Sequence, residues 1–400
     1  MEYFKMSKTI LIVDPLHSNG YFFSAMKKKN IRTVALFSNL EKIMPFNRPS
    51  KDVFDRQIHI NTDDIDNIIS QIDEKIDFVL NGSDQHLGLC EKIAYKLTPE
   101  LSNNPVTSHY RNEKYTQQEL MKTNGHNSIK QMLVDVSNIL YSDLEKLEYP
   151  VFAKPSNGGG SIGIFKANTV EELYQKLVDA PRMVNFDEIT HYLVQEFISG
   201  EEVIIDTFSH CGLHHIGHVY SYTKSNFMNV PVYRTITSIT EPEILSKAEK
   251  FALEVLRCCE VDNGFSHIEL FYIREKGEFY LIELNPRISG ASGVPNMMAE
   301  CLNLNSQPDM LAEFLINGEI KRKALIEHNG YSSSVLMYNH EELSLNEVPG
   351  FQRLISLSNQ KYDTSQAPDL TDLRKIVLLS HENAEVLTKN TNAIIAMDVI

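Results

Sequence analysis

Along the N-terminal part of the chain, short unbroken apolar runs alternate with stretches in which apolar residues recur at helical spacing. "KTILIVD" (8–14) is one such run and predicts a buried strand. "IRTVALFS" (31–38) and "DFVLNGSD" (77–84) predict two more, the last ending in a turn. A segment near 20–29, then "DDIDNIISQIDEKI" (63–76) and "QHLGLCEKIAYKL" (85–97), carry the helical pattern. This alternation predicts a parallel sheet covered by helices over residues 1–105. No GxGxxG follows the first strand, so the dinucleotide fingerprint is absent there.

"LSNNPVTSHYRN" (101–112) is polar and turn-rich and reads as a linker, with a helix starting near Glu113 and including Lys114. Pro150 to Ala153 predict a strand that runs through Lys154 and Pro155 into "SNGGGSIG". "VEELYQKLVDA" (170–180) predicts a helix. "HYLVQEFISGEEVIIDTFSH" (191–210) predicts two strands interrupted at Ser199–Gly200. "SHIELFYIREKGEFYLIELNPRISGASG" (266–293) predicts a hairpin turning at Glu275–Gly277 and ending in a loop. From about residue 321 the tail is mixed and short-stranded, and no internal repeat or low-complexity segment occurs.

The 400 residues allow two or three domains, and 42% hydrophobic with 23% charged residues is ordinary for a soluble globular chain. A net charge of −15 argues against general nucleic-acid binding and against docking on an anionic membrane. A small anion in a local basic pocket remains compatible with it. The five cysteines are odd in number, two are adjacent, and none forms a CxxC. Neither a disulfide framework nor a structural zinc site is expected, and a cytoplasmic, reducing location fits best. The first apolar run ends at Asp14, too soon for a signal peptide or a membrane span.

Three stretches carry candidate chemistry. Ordering a glycine run is entropically costly, so the backbone of "SNGGGSIG" is expected to approach something closely. Its successive N–H groups can wrap phosphate oxygens, with Lys154 reaching in from the strand. No GK[ST] ends the loop, so it is not a Walker A motif; by itself the signal is weak, and a bare hairpin tip is the other reading. In the later hairpin, Glu269 lies on one strand and Glu283 on the next, and Asn285 shares a face with Glu283. Two carboxylates and an amide oxygen suit Mg²⁺, and Arg287 projects toward the same place. A solvated sheet face is the other reading. Against it, a carboxylate inside "YLIELNP" would be costly if unpaired. "LVQEFISGEE" could be any hairpin. Taken with the other two stretches it looks like a hinge for an adenine ring, with backbone groups near Glu196 and Ile198 on the base and Glu202 on the ribose. His191 and His267 read as structural, and Cys258–Cys259 as core.

"RNEKY", "FAKPSNGGGSIGI", "LVQEFISGEE", "HIELFY" and "LIELNPRISG", in this order and spacing, resemble the ATP-grasp superfamily. The resemblance implies an α/β fold with a leading parallel domain (1–105), a linker helix and lid (106–195), a catalytic part with the metal site (196–320) and a small C-terminal part (321–400). It implies ATP and Mg²⁺, or Mn²⁺ in its place, as cofactors. Lys114 and Lys154 resemble the family's phosphate-contacting lysines, and Ser156, Gly158, Gly159, Gly160 and Ser161 its phosphate loop. Gln195 stands where the adenine hinge often has Glu, followed by Glu196 and Ile198. Glu202 resembles the ribose ligand, and Glu269, Glu283 and Asn285 resemble the metal ligands. Arg287, with Lys154, resembles the group that stabilises the transferring phosphoryl. "YSYTK" (220–224) is loosely similar to a segment of D-alanine–D-alanine ligases that supplies a further phosphate lysine, here Lys224.

"GASGVPNMMAECLNLN" and the short-stranded tail resemble carboxylate–amine ligases, with L-amino acid ligases of the bacilysin-synthetase type nearest. That implies an acyl-phosphate route to an amide or dipeptide from a small acid and an amine, with charge stabilised by Lys154, Arg287 and N–H groups around Ser289–Ser292. No nucleic-acid or membrane partner is expected, and a homodimer is left open. An ATP-grasp carboxylase and a non-catalytic ATP-binding protein are the alternatives. The histidine- and lysine-rich segments of biotin carboxylases and a biotinyl-lysine motif are not evident.

Overall fold

The computed structural model describes residues 8–15, 20–39, 53–156, 163–184, 187–227, 230–339, 345, 347–357 and 372–398. The N-terminal unit contains β1 (Thr9–Val13), α1 (Gly20–Lys28), β2 (Arg32–Phe37), β3 (Arg56–His59), α2 (Ile65–Ser70), β4 (Phe78–Asn81) and α3 (Leu87–Leu97). Its strands pair in parallel in the order β3-β2-β1-β4, with Val13 between Leu36 and Asn81. Two departures from the sequence expectation stand out. The helical pattern of 63–76 contracts to α2, capped by Asp64 accepting from the Asp66 and Asn67 N–H groups. β3, "RQIH", has no apolar run to announce it, since only Ile58 is buried.

One face of this sheet packs on α2 and α3 through Ile68, Cys90 and Ile93. The other packs on α1 and on Phe208, Phe265, Met310 and Leu311, far along the chain. A linker with α4 (Ser108–Asn112) then leads to α5 (Lys114–Thr123). Arg111, fully buried, fixes it: its Nε donates to Glu91 Oε1 at 2.6 Å and its Nη2 to Glu91 Oε2 at 2.9 Å. Its other N–H groups reach the Asn104 carbonyl at 2.7 Å and the Glu260 carbonyl at 2.8 Å.

The next unit holds β5 (Gln131–Asp135), α6 (Tyr141–Leu144), β6 (Val151–Pro155), β7 (Phe165–Ala167), α7 (Val170–Asp179), the short pair β8 (Met183–Val184) and β9 (Asp187–Glu188), and β10 (His191–Glu196). Its antiparallel sheet runs β5-β10-β6-β7. α7 starts where Thr169 accepts from the Glu172 N–H, and buries Leu173 and Leu177 against Val151, Ala153 and Val194.

The largest unit comprises β11 (Glu201–His210), β12 (Leu213–Phe227), β13 (Val230–Ser238), α8 (Pro242–Cys258), β14 (Gly264–Ile273), β15 (Glu278–Asn285), α9 (Val294–Cys301), α10 (Gln307–Asn317), β16 (Tyr331–Met337), β17 (Phe351–Ser356), β18 (Lys375–His381) and α11 (Ala384–Met397). Its antiparallel sheet runs β15-β14-β11-β12-β13-β16-β18-β17. α8 lays Ala248, Ala252 and Val255 on one face, beside Cys259. α9 lays Met297 and Met298 on the other. The tail strands β16–β18 do not form a sheet of their own; they extend this one from β13. Among the described residues no helix is long and apolar enough to cross a membrane. All five cysteines are free thiols.

Candidate active site

The β14–β15 ladder sets Glu269 opposite Glu283 and His267 opposite Asn285. The register then shifts, with Leu270 opposite Leu281, so Ile282 is the extra residue of a bulge. This inverts the facing of β15. Phe279 and Leu281 are buried in the core before it, and Leu284 after it. Strict alternation from Leu281 would have driven Glu283 into that core; the bulge puts Glu283 and Asn285 together on the other face. α5 locks the distorted edge in place. Gln117 Nε2 donates to the Leu284 carbonyl at 3.0 Å, and its Oε1 accepts from the Leu284 N–H at 2.9 Å. Gln118 Nε2 donates to the Leu281 carbonyl at 2.6 Å.

That anchorage brings Lys114 Nζ to 3.1 Å from Glu283 Oε2, while Asn285 Nδ2 donates to Glu283 Oε1 at 3.1 Å. Burial alone would raise the Glu283 pKa, but Lys114, Lys154 and Asn285 outweigh it and hold it at about 2. Burial would likewise lower the Lys114 pKa, and Glu283 reverses that. Lys154, on β6, is 6% exposed. Burial pulls it down to about 8, Lys114 adds to the fall, and Glu283 and Glu269 oppose it. His267 shows the opposite balance: burial works against its charge, yet Asp206 and Glu269 push it up to about 9.

Arg287 follows β15 and directs Nε at both oxygens of Asp84, at 2.9 and 2.8 Å. Asp84 lies just past the carboxyl end of β4, and Asn81 Nδ2 donates to the Pro286 carbonyl at 3.1 Å. The leading sheet thus presents a strand end to this site, where parallel α/β sheets generally meet their ligands. Beyond Arg287, Ala291, Ser292 and Gly293 take left-handed φ values of 48°, 55° and 79° before α9. Such conformations cost non-glycine residues roughly 1–3 kcal/mol. The Ser289 N–H, expected among the free donors of this loop, is already given to Gln307 Oε1 at 3.0 Å.

The expected nucleotide residues fall as follows. Gln195 is 4% exposed and donates to Gln131 Oε1 at 3.4 Å. The Glu196 N–H donates to the Lys130 carbonyl at 3.0 Å. Its carboxylate accepts from the Lys130 N–H at 2.9 Å. Ile198 sits in the gap between β10 and β11. Glu202 and Lys224, expected on ribose and phosphate, form an ion pair with each other. Glu202 Oε2 also accepts from the Tyr233 hydroxyl at 3.0 Å, and Lys224 Nζ lies 4.2 Å from the centre of the Tyr233 ring. The Ser156 N–H donates to the His191 carbonyl at 3.1 Å. Gly158, Gly159, Gly160 and Ser161 lie outside the described residues.

Among the described residues no three His, Cys, Asp or Glu side chains are grouped to hold a metal ion. Glu269, Glu283 and Asn285 are two carboxylates and an amide whose nitrogen is turned to Glu283, which leaves the amide oxygen as a donor. That set fits a hard ion that takes few protein oxygens and completes its shell with water and phosphate. A groove of about 570 Å³ between Lys8, Asp77, Glu100 and Asn317 includes none of these residues. Sequence reasoning missed Asp84, Asp206, Tyr233 and the two anchoring glutamines. Only Asp84 had a signal, its place in "NGSD" at the end of a parallel strand.

Residues 147–295 match the family described as the ATP-grasp domain. The chain is 26% identical over 268 residues to dapdiamide A synthase of Enterobacter agglomerans, covering 66% of this chain and 62% of that one. It is 27% identical over 181 residues to a D-alanine–D-alanine ligase of Acetivibrio thermocellus, covering 43% and 46%. The chain therefore spans less than two thirds of the length of these curated relatives. The fold matches the crystal structure of an L-amino acid ligase from Bacillus licheniformis with a TM-score of 0.73 and 17% identity, over 98% of both chains.

Proposed function

We propose that this chain, which carries an ATP-grasp domain over residues 147–295, is an ADP-forming ligase that joins a small carboxylic acid to an amine. The observation that carries the reading is the convergence of Lys114 and Lys154 on Glu283, with Glu269 across the ladder and Asn285 beside it. A buried and a half-buried cation beside hard oxygen donors suit a polyphosphate and its counter-ion. The names of the relatives support amide-bond formation from amino acids as the class of reaction.

In this reading Glu269, Glu283 and Asn285 hold Mg²⁺ or Mn²⁺, which when bound neutralises phosphate charge. Lys114, Lys154 and the loop from Ser156 through Gly158, Gly159, Gly160 and Ser161 hold the phosphates, with Lys224 joining them when it leaves Glu202. Gln195, Glu196 and Ile198 border the base. Lys154 and Arg287 stabilise the charge that develops as the γ-phosphoryl passes to the acid. The acyl phosphate is then attacked by the amine, and phosphate leaves through a tetrahedral intermediate. Water must be kept out, or the acyl phosphate hydrolyses. Asp84 holds Arg287 against the leading domain, so that domain takes part in shaping the acid and amine sites. The free thiols fit a cytoplasmic setting.

A screen of amino-acid pairs for amine-dependent ADP and phosphate release tests the assignment. Release that requires both an acid and an amine is expected. Release that requires bicarbonate, or none with any pair, would overturn it.

A further inference from the structure

Beside the candidate metal ligands lies a row of buried ionisable groups that the mechanism above does not use. On three adjacent strands, His218 of β12, Asp206 of β11 and His267 of β14 occupy paired positions. Asp206 is fully buried; its Oδ2 is 2.6 Å from His218 Nε2 and its Oδ1 is 2.6 Å from His267 Nδ1. The other nitrogen of His267, Nε2, lies 3.5 Å from Glu269 Oε1. The other nitrogen of His218, Nδ1, lies 3.5 Å from the Asn305 carbonyl. The row therefore runs from the backbone before α10 to within 3.5 Å of a carboxylate of the site.

Two local features show that the arrangement is built into the backbone. The β11–β12 register shifts between Asp206 and Thr207, which leaves Gly217 as the extra residue of a bulge beside His218. A Cβ on Gly217 would sit 2.7 Å from the Asn305 carbonyl oxygen and 3.2 Å from that of Asp206. Only glycine lets β12 come close enough to seat His218 between Asn305 and Asp206. His218 also stacks on Tyr220 with ring centroids 4.7 Å apart, which fixes its plane. An unpaired carboxylate at the depth of Asp206 would be prohibitively costly, so its bonds to both imidazoles hold all three side chains in one geometry.

We propose that Asp206 is a positioning residue for the metal ligand Glu269: it clamps the His267 ring, with His218 as its brace, so that His267 Nε2 holds the Glu269 carboxylate at the angle the ion requires. The inference rests on the reading of Glu269 as a ligand. Outer partners of metal ligands commonly control affinity in this way.

The test is Mn²⁺ affinity of the full chain in the presence of ADP, read by electron paramagnetic resonance, alongside metal-free ADP affinity by calorimetry. Asp206→Asn keeps the shape of the side chain but cannot accept from both imidazoles. It is expected to weaken Mn²⁺ binding by about tenfold or more, with metal-free ADP affinity unchanged. A purely structural loss would lower both. His218→Gln, a milder change, is expected to weaken Mn²⁺ in the same direction and carries the test if Asp206→Asn fails to fold. Glu269→Gln is the control for the underlying reading. Weakening by Glu269→Gln, with wild-type affinity in the other two variants, would overturn the positioning role alone. Wild-type affinity in Glu269→Gln would overturn the ligand assignment and the positioning role with it.

Discussion

Replacing Lys154 by Met is expected to make the nucleotide-free protein more stable while destroying its activity. Lys154 is 6% exposed, and burial with a second cation nearby lowers its pKa from 10.5 to about 8. The folded protein therefore holds this proton less tightly than the unfolded chain does. Between pH 8 and 10.5 the unfolded chain binds more protons, and the wild type gains stability as pH rises. At neutral pH the full penalty is present, and the drop corresponds to about 3 kcal/mol. Methionine resembles the neutral lysine in length and carries no charge. Urea unfolding followed by circular dichroism should find the variant up to about 3 kcal/mol more stable than wild type at pH 7. The gap should narrow above pH 8 and close near 10.5. Turnover should fall by about a hundredfold or more, because the cation proposed to face the phosphates is gone. A variant less stable than wild type at pH 7, or a difference that does not change with pH, would show that burial of the Lys154 charge does not destabilise the fold.

Three further outcomes follow from the same geometry. Glu283→Ala should leave the protein folded but lower kcat by about a hundredfold or more at saturating Mg²⁺; retention of more than about a tenth of wild-type kcat would sink the metal assignment. Tyr233→Phe releases one oxygen of Glu202 and should raise KM for ATP by about tenfold, with a smaller rise for 2′-deoxyATP; equal rises would place Glu202 away from the ribose. Arg111→Met leaves Glu91 buried without its cation and should cost about 3–5 kcal/mol in urea unfolding, with KM for ATP unchanged in the protein that remains folded.

The leading parallel unit was legible because its strands and helices differ in period, as "TILIV" and "LGLCEKIAYKL" show. The hairpin carrying Glu269, Glu283 and Asn285 was legible for a related reason: its turn, Glu275–Gly277, is marked by polar residues and a glycine. What stayed hidden is what depends on contacts between distant segments. Nothing in the local pattern distinguishes the bulge at Ile282 from plain alternation, yet it decides which way Glu283 faces. Asp84 and Arg287 are 203 positions apart, and only the packing of the first sheet on the third joins them. His267 read as a lone histidine because Asp206 and His218 reach it through strand pairing. Lys224 and Glu202 are each plausible ligand contacts when taken singly, and the cross-strand geometry pairs them with each other. The short-stranded tail suggested a separate part, because sequence does not show which sheet edge is left open to receive β16.

In the proposed reaction the γ-phosphoryl of ATP is transferred to the acid before the amide forms. Once a productive acid–amine pair is found, an acid with ¹⁸O at both carboxylate oxygens makes that transfer directly visible by mass spectrometry of the released phosphate. ADP is expected as the nucleotide product, with one labelled oxygen in each phosphate formed. AMP and pyrophosphate as products, or phosphate free of label while the amide and unreacted acid retain it all, would contradict the acyl-phosphate route and the roles given to Lys154 and Arg287.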